Sequence, residues 1–492
     1  MNRRRAIASH RRGFVLPIVL AVLVLLTLAV YQLAERSVTD RLVSRSLVER
    51  KKAELAARSA ADWVLAAAHA DAAVSATTFD GDAARFTLPD DTRITLLRIA
   101  TDGSGPQLGV ASEGGKMNPN AFATVDDVNE DFGELLATFA GNGLTADVGD
   151  LIADIVDADS TVRPLGDESG LSGAPLRNVP LDSLDDLLAV PGITEAMVYG
   201  EDANRNGLLD ENENDGDATA PPDNADGLLD FGLGEFLTVS SRVANLQPDG
   251  SPKINLNGDS LSQLQADLTG LGILSEKQVD FVVRVRRDGF PGDDVNAGGN
   301  RPAEPRGGEA ADRDDTAEAG DDTPSYRLGM IGELLQDGYA TSPFTFPIID
   351  SPFADDLPSL SLLYQHAALS DVATEPGRID LNAVNVDALG RILEDSALAA
   401  TVLARRDYRS VLEPLIDGAM EVDTLGYFEL FHTVNTRTFR FQAIGYRPGG
   451  QAVRYEFVVD AADPGEPRIL QQHDLSRLGI AIDPAIYTAP EE

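Results

Sequence analysis

The chain has no cysteine, five histidines and a single tryptophan in 492 residues. The missing cysteine excludes disulfide staples, thiolate metal sites, haem attachment through sulfur and a cysteine nucleophile. Basic residues are scarce: 40 Lys and Arg stand against 80 Asp and Glu, a formal charge of −40. A surface that acidic opposes nucleic acid as a partner, because phosphate contacts need cationic side chains. Catalytic signatures are also missing. There is no HExxH, GxSxG, Walker A loop or GxGxxG, and His69, His366, His432 and His473 stand isolated. Paired carboxylates are plentiful, but so many acidic residues produce pairs by chance. The expectation is a protein that is not an enzyme.

The basic residues present are concentrated at one end. Residues 1–58 hold twelve basic and four acidic side chains, a head of +8 on a body of −48. Within the head, residues 14–34 (FVLPIVLAVLVLLTLAVYQLA) carry no charge. As a helix they span ~31 Å, enough to cross a bilayer core. Arg3, Arg4, Arg5, Arg11 and Arg12 precede this run; the positive-inside rule holds that flank in the cytoplasm and sends the body outward. The run is too long for a cleaved signal sequence, and no small-x-small site closes it. Pro17 falls in the first turn, where its missing N–H costs little. From Glu35 to about Ala73 neither Gly nor Pro occurs, so the helix is expected to continue amphipathically through 35–73, for about 55–60 residues. Val38, Leu42, Leu55, Val64 and neighbouring alanines are expected to form its apolar face. Trp63 fits either an assembly surface or a core beneath a sheet.

Arg11-Arg12-Gly13 followed by Phe14 and an apolar helix resembles the leader of type IV pilin-like proteins. The resemblance implies cleavage by a prepilin peptidase between Gly13 and Phe14, with prepilin-type methylation. Most members carry Glu at the fifth mature position, where this chain has Ile18. A carboxylate in lipid needs a partner, which the family supplies as a neighbouring subunit's amine. Absence of that Glu is the pattern of the minor pseudopilin K subunit of type II secretion, a subunit assigned to the pseudopilus tip.

The body fits the same expectation. Residues 83–112 alternate at period two (ARFTLP, TRITLLRIA), and TRTFRFQAIGYR (436–447), Pro448-Gly449-Gly450 and QAVRYEFVVD (451–460) read as a hairpin. Together they predict an α+β fold: a small antiparallel sheet on the long helix, interrupted by a large helical insertion. Within the insertion GKMNPN (115–120), KINLN (253–257) and RIDLN (378–382) share a basic–apolar–Asn/Asp–x–Asn form, each with two helical stretches downstream. The Asn residues can bond a turn and cap the next helix, and three occurrences argue for shared structure. The expected organisation is a leader at 1–13, helical domain at 113–236, second unit at 237–286, acidic linker at 287–324, additional helical unit at 325–430 with 362–406 resembling 237–286, hairpin at 436–460 and a coil tail at 461–492. GKMNPN, IVDADSTVRPLGDESG, RNVPLDSLDDLLAVPGI and KINLN resemble recurring segments of the K-subunit family; the additional unit departs from it. Ala189-Val190-Pro191-Gly192-Ile193 resembles a helix-hairpin-helix turn, but acidic residues surround it, so it reads as packing.

The sharpest chemical motif is EDANRNGLLDENEND. Counted from Asp202, oxygen-bearing side chains fall at positions 1, 3, 5, 9 and 12: Asp202, Asn204, Asn206, Asp210 and Glu213. Gly207 sits at position 6 and Leu208 offers its carbonyl at 7. This is the spacing of an EF-hand-type calcium loop, and the family resemblance also implies calcium in the helical domain. Twenty residues on, Asn224, Asp226 and Asp230 repeat the pattern, but Pro222 and Leu233 hold its first and last positions; Asp215 or Asp217 could complete that set.

These features predict a single-pass inner-membrane protein with a cytoplasmic N-terminus and a periplasmic body. The partners implied by the resemblance are other minor pseudopilins, the major pseudopilin, the inner-membrane assembly platform and the prepilin peptidase. Other readings are a membrane-anchored calcium-binding adhesion or scaffold protein, a type IV pilus minor pilin, and a tethered hydrolase using carboxylates. DNA uptake is opposed by the charge.

Overall fold

A computed structural model describes residues 15–70, 74–100, 104–122, 132–141, 145–156, 162–167, 179–190, 192–216, 218–220, 222–290, 322–339, 348–418, 431–432, 436–449, 451–463 and 465–488. Gly13 and Phe14, Pro191, Asp217 and the linker core at 291–321 lie outside these residues.

The uninterrupted helix-forming run folds as one 56-residue helix, α1 (Val15–Ala70). Its two halves differ in burial. Residues 15–48 are exposed on every side, and α1 is the one described helix apolar and long enough to cross a membrane. Beyond them Ala53, Ala56, Ala57, Ala60, Ala61, Val64, Leu65 and Ala68 are buried, a stripe at i, i+3, i+4 and i+7 that sets one face against the body. Of the expected apolar face, Val64 is buried, Leu55 points away from the body, and Val38 and Leu42 lie in the uncovered half. Small side chains line the contact because the backbone of the sheet approaches closely. An ideal Cβ on Gly445 would fall 2.0 Å from the Ala53 carbonyl oxygen. Trp63 covers the rim of this contact, stacked on Phe86 at 4.7 Å and edge-on to Phe79 at 5.3 Å.

The sheet has seven strands: β1 (Arg85–Thr87), β2 (Arg93–Ala100), β3 (Gly105–Leu108), β4 (Ala111–Ser112), β5 (Thr438–Arg447), β6 (Gln451–Asp460) and β7 (Arg468–Asp474). Its order is β1-β2-β5-β6-β7, with β3 on β2 and β4 on β5, all antiparallel. Period-two alternation sends Ile94, Leu96, Phe439, Phe441, Ala443, Val453, Tyr455, Phe457 and Val459 toward α1. On the opposite face Leu97 and Ile444 pack against Ile482 and Tyr487. The tail expected as coil therefore has structure: it supplies edge strand β7 and the helix Pro484–Thr488. The Arg85 guanidinium donates to the Ile486 carbonyl, 2.9 Å.

Between β4 and β5 lies the insertion, with a large apolar core of its own. The three Asn motifs build one device three times. Each middle residue accepts from the backbone N–H two residues on: Asn118 from Asn120, Asn255 from Asn257, Asp380 from Asn382. Each final Asn then grips a distant backbone with both ends of its amide. Asn120 donates to the Leu181 carbonyl and accepts from its N–H (3.0 and 2.8 Å). Asn257 does the same to Leu328 (2.9 and 2.9 Å), and Asn382 to Tyr408 (2.9 and 2.9 Å). The apolar residue of each motif pairs in parallel with a later segment: Met117 with Leu237, Ile254–Asn255 with Ala367–Ala368, Ile379–Asp380 with Phe431–His432. Helix pairs fill the spans: Phe132–Ala140 with Ala146–Val156, Leu261–Leu271 with Glu276–Asp288, Val386–Ile392 with Ser396–Leu403. The pairings bracket spans of the chain: Ile254 to Ala368, which encloses the segment expected as linker, and Ile379 to His432.

Buried charge joins insertion and sheet. Glu113, fully buried after β4, meets Arg440 of β5 at 2.8 Å and Lys116 at 3.0 Å, and accepts from the Thr238 hydroxyl at 2.6 Å. Burial pushes the Glu113 carboxyl up, but the Arg440 and Lys116 charges and these hydrogen bonds outweigh it and hold it well below the usual carboxylate range.

Candidate metal centre

The loop at 202–213 follows the helix Glu195–Tyr199, which ends at Gly200 with φ +67°. Asp202 turns the chain by accepting from the N–H groups of Asn206 (3.0 Å) and Gly207 (2.8 Å). Gly207 has φ +71°, the left-handed conformation that the sixth position of such a loop demands. Asn206 Oδ1 accepts from the Leu208 N–H, 2.7 Å. Glu213, buried at the loop's end, reaches back: Oε1 accepts from Ala203 N–H at 2.9 Å and Oε2 from Asp210 N–H at 3.0 Å. Asn204 and Asn206 each donate to Asp210 Oδ2, at 2.5 and 3.0 Å.

The structure thus wraps Asp202, Asn204, Asn206, Leu208, Asp210 and Glu213 into one turn. Among the described residues no three His, Asp or Glu side chains close on one point at metal-holding distance; this loop instead mixes carboxylates with amide and carbonyl oxygens. One feature tests the fit. Asn204 Oδ1, at the third position, is buried without a hydrogen-bond partner. A buried oxygen left unpaired costs free energy that a hard cation would recover. Burial raises the Asp202 and Glu213 carboxyls above their ordinary range, and for Glu213 the charges of Asp202 and Asp210 add to it. The donor set fits calcium.

The second segment repeats the backbone. Ala225 and Gly227 have φ +53° and +79°, matching Arg205 and Gly207 at +55° and +71°. Asp226 accepts from the Leu228 N–H at 2.8 Å, as Asn206 does from Leu208; Asn224 differs from its counterpart Asn204, because its Oδ1 is taken by the Asp226 N–H at 2.9 Å. The Asp215 carboxylate accepts from the Thr219 N–H at 3.1 Å and hydroxyl at 2.9 Å. The residue that reaches in is Glu201, which is buried and accepts from Asp230 N–H at 2.9 Å. Glu201 lines a cleft with Met197, Asp223, Asn224 and Asp230. It lies one residue before the first loop, so its position in sequence ties it to the wrong segment. Of the segment at 189–193, Val190 and Ile193 are buried in the insertion core, in one cluster with Leu187 and Val198.

No protein-family model matches the chain, and no curated protein matches it. Among solved structures it is similar to a chain described as "The Crystal Structure of the GspK-GspI-GspJ complex from enterotoxigenic Escherichia coli Type 2 Secretion System". The identity is 10% and the TM-score 0.35, over 89% of this chain and 99% of that chain.

Proposed function

We propose that this chain is a minor pseudopilin of a type II protein secretion system, a structural protein that caps the periplasmic pseudopilus and takes part in its assembly. The observation that carries the reading is the split burial of α1. Residues 15–48 are exposed all round, while 53–68 are the helical layer beneath the sheet. One helix is therefore both membrane anchor and domain core, and its bare apolar half is free to pack among sister helices. The insertion between β4 and β5 makes the head too bulky to stack within a helical filament, which favours an end position. Ile18 supports the same place, since a subunit with none above it has no amine to satisfy with a glutamate.

In this reading the Arg-rich leader lies in the cytoplasm until the prepilin peptidase cuts between Gly13 and Phe14, and the acidic body is periplasmic. Other minor pseudopilins, the major pseudopilin and the inner-membrane assembly platform are the partners. Calcium would be held by the side chains of Asp202, Asn204, Asn206, Asp210 and Glu213 and the carbonyl of Leu208, cross-linking the loop by neutralising its carboxylates. Asp202→Ala is expected to abolish a calcium-dependent rise in melting temperature; an unchanged rise rejects this site. The assembly role is tested with a photo-crosslinking residue at Leu26, on the exposed half of α1. Capture of another chain through its own N-terminal apolar helix is expected, and labelling of lipid alone contradicts the proposal.

A further inference from the structure

The first cation loop is seated on the sheet, on the face opposite α1, by side chains that are not among its ligands. Arg454 of β6, fully buried, donates Nη2 to the Asn204 carbonyl at 2.6 Å and Nη1 to the Arg205 carbonyl at 3.3 Å. Gln442 of β5, also buried, donates to the same Arg205 carbonyl at 2.8 Å. The Arg205 side chain meets Glu456 of β6 at 3.1 Å, and Glu456 continues to Arg440 at 3.2 Å. Two further positions are fitted to the sheet: Gly207 lies over Ile99, where a Cβ would fall 2.5 Å from Ile99 Cγ2, and the Leu208 side chain packs on Gly105. Positions 3, 4, 6 and 7 of the loop therefore all rest on sheet residues.

The fourth position shows what this seating accomplishes. Arg205 has φ +55°, a conformation that costs a non-glycine residue free energy unless the surroundings impose it. Its carbonyl is held from two strands at once. The same clamp fixes the peptide after Asn204, whose unpartnered Oδ1 marks the third position. A loop that must supply six oxygens at set distances binds more tightly when its backbone is already held in place.

Building on the calcium reading of this loop, we propose that Arg454 and Gln442 are positioning residues for it, so that cation binding and the docking of the insertion on the sheet strengthen each other. Linkage makes the effect reciprocal: whatever factor the clamp adds to calcium affinity, calcium adds to the stability of the docked state. A bound cation here would act on the surface that joins the two parts of the head, beyond the loop itself. The Arg454 charge works against its own geometry, because it lies near Asp202 and would repel a cation. The two effects predict opposite outcomes for its removal. Gln442 is neutral and isolates the positional one.

The test is calcium titration calorimetry on the full chain in detergent micelles, with Gln442→Leu, Arg454→Met and Asp202→Ala. Gln442→Leu is expected to weaken calcium binding about tenfold and Arg454→Met at least as much, values within the usual range of coupling. Hydrogen exchange supplies the second measurement: calcium should slow exchange of β5 and β6 amides in the wild type and not in Gln442→Leu. Trp63 emission, from the other face of the sheet, verifies that each variant is folded. If Asp202→Ala loses calcium while both clamp variants bind like wild type, the linkage is refuted and the site stands. Tighter binding by Arg454→Met with unchanged Gln442→Leu refutes positioning in favour of charge repulsion. If the wild type binds no calcium, the reading of the loop and the linkage fall together.

Discussion

Replacing Gly445 with alanine is the sharpest test of how the helix meets the sheet. Gly445 pairs with Ile94 on one side and Val453 on the other, and α1 runs directly over it. An ideal Cβ would lie 2.0 Å from the Ala53 carbonyl oxygen and 2.9 Å from both Ala53 C and Ala57 N. All three are backbone atoms, so no side chain can swing aside; the helix must lift by about 1 Å or more to restore van der Waals contact. Alanine has the better intrinsic strand preference, by roughly 0.5–1 kcal/mol. Overpacking costs about 1–3 kcal/mol, and lifting the alanine stripe forfeits contacts along its whole length, so the clash wins. A net loss near 2 kcal/mol lowers the melting point of the helix–sheet unit by about 4–8 °C. Trp63, the single tryptophan, sits at this contact, so its fluorescence follows the transition. Truncating Ala57 to glycine should give no rescue, because the obstacle is main chain. An unchanged or higher melting point in Gly445→Ala would show that α1 is not seated on β5 as described.

Three other expectations follow from buried polar groups. Asn382→Ala strips the Tyr408 backbone of both partners and should cost about 1–3 kcal/mol in urea unfolding, with Asn382→Asp costing less because the acceptor survives. Burial raises the Asp380 carboxyl to about 7, against the lowering effect of Thr436 and Asn382 hydrogen bonds and the Arg406 charge. The stability linked to its protonated form is complete below the ordinary Asp value near 3.8 and is lost as pH rises through about 7. Melting temperatures from pH 5 to 8 should therefore fall more steeply in wild type than in Asp380→Asn. Glu113 has the opposite sign: its lowered carboxyl gives stability present above the ordinary carboxylate range and lost only as pH falls into strong acid. Glu113→Gln leaves Arg440 with Glu456 alone and should cost about 3 kcal/mol at neutral pH, measured by chemical denaturation.

Periodicity was enough to read α1 and the strands on its inner face, because each has one buried face and a clear repeat. The direction of the helix stripe was less legible. Val38 and Leu42 lie in the half of α1 that the body does not cover, and in the covered half the close approach of Gly445 selects alanines over larger residues such as Leu55. Strand β7 carries no local signal, because RILQQHD lies at an exposed edge and shows no alternation. The three Asn motifs were visible as a pattern, yet their partners Leu181, Leu328 and Tyr408 lie 61, 71 and 26 residues away, distances that no local signal encodes. The turn at 202–213 is legible because the residues that shape it, Asp202, Gly207 and Glu213, lie within one short stretch. Glu201, Arg454 and Gln442 reach their loops only through the fold, so spacing along the chain could not reveal them.

The central claim is that a peptidase-trimmed apolar stalk carries this head into a pseudopilus. N-terminal mass spectrometry of the protein purified from cells with an active prepilin peptidase tests it most directly. The account predicts a mature chain that begins at Phe14; a chain that still carries Arg11, Arg12 and Gly13 would contradict it.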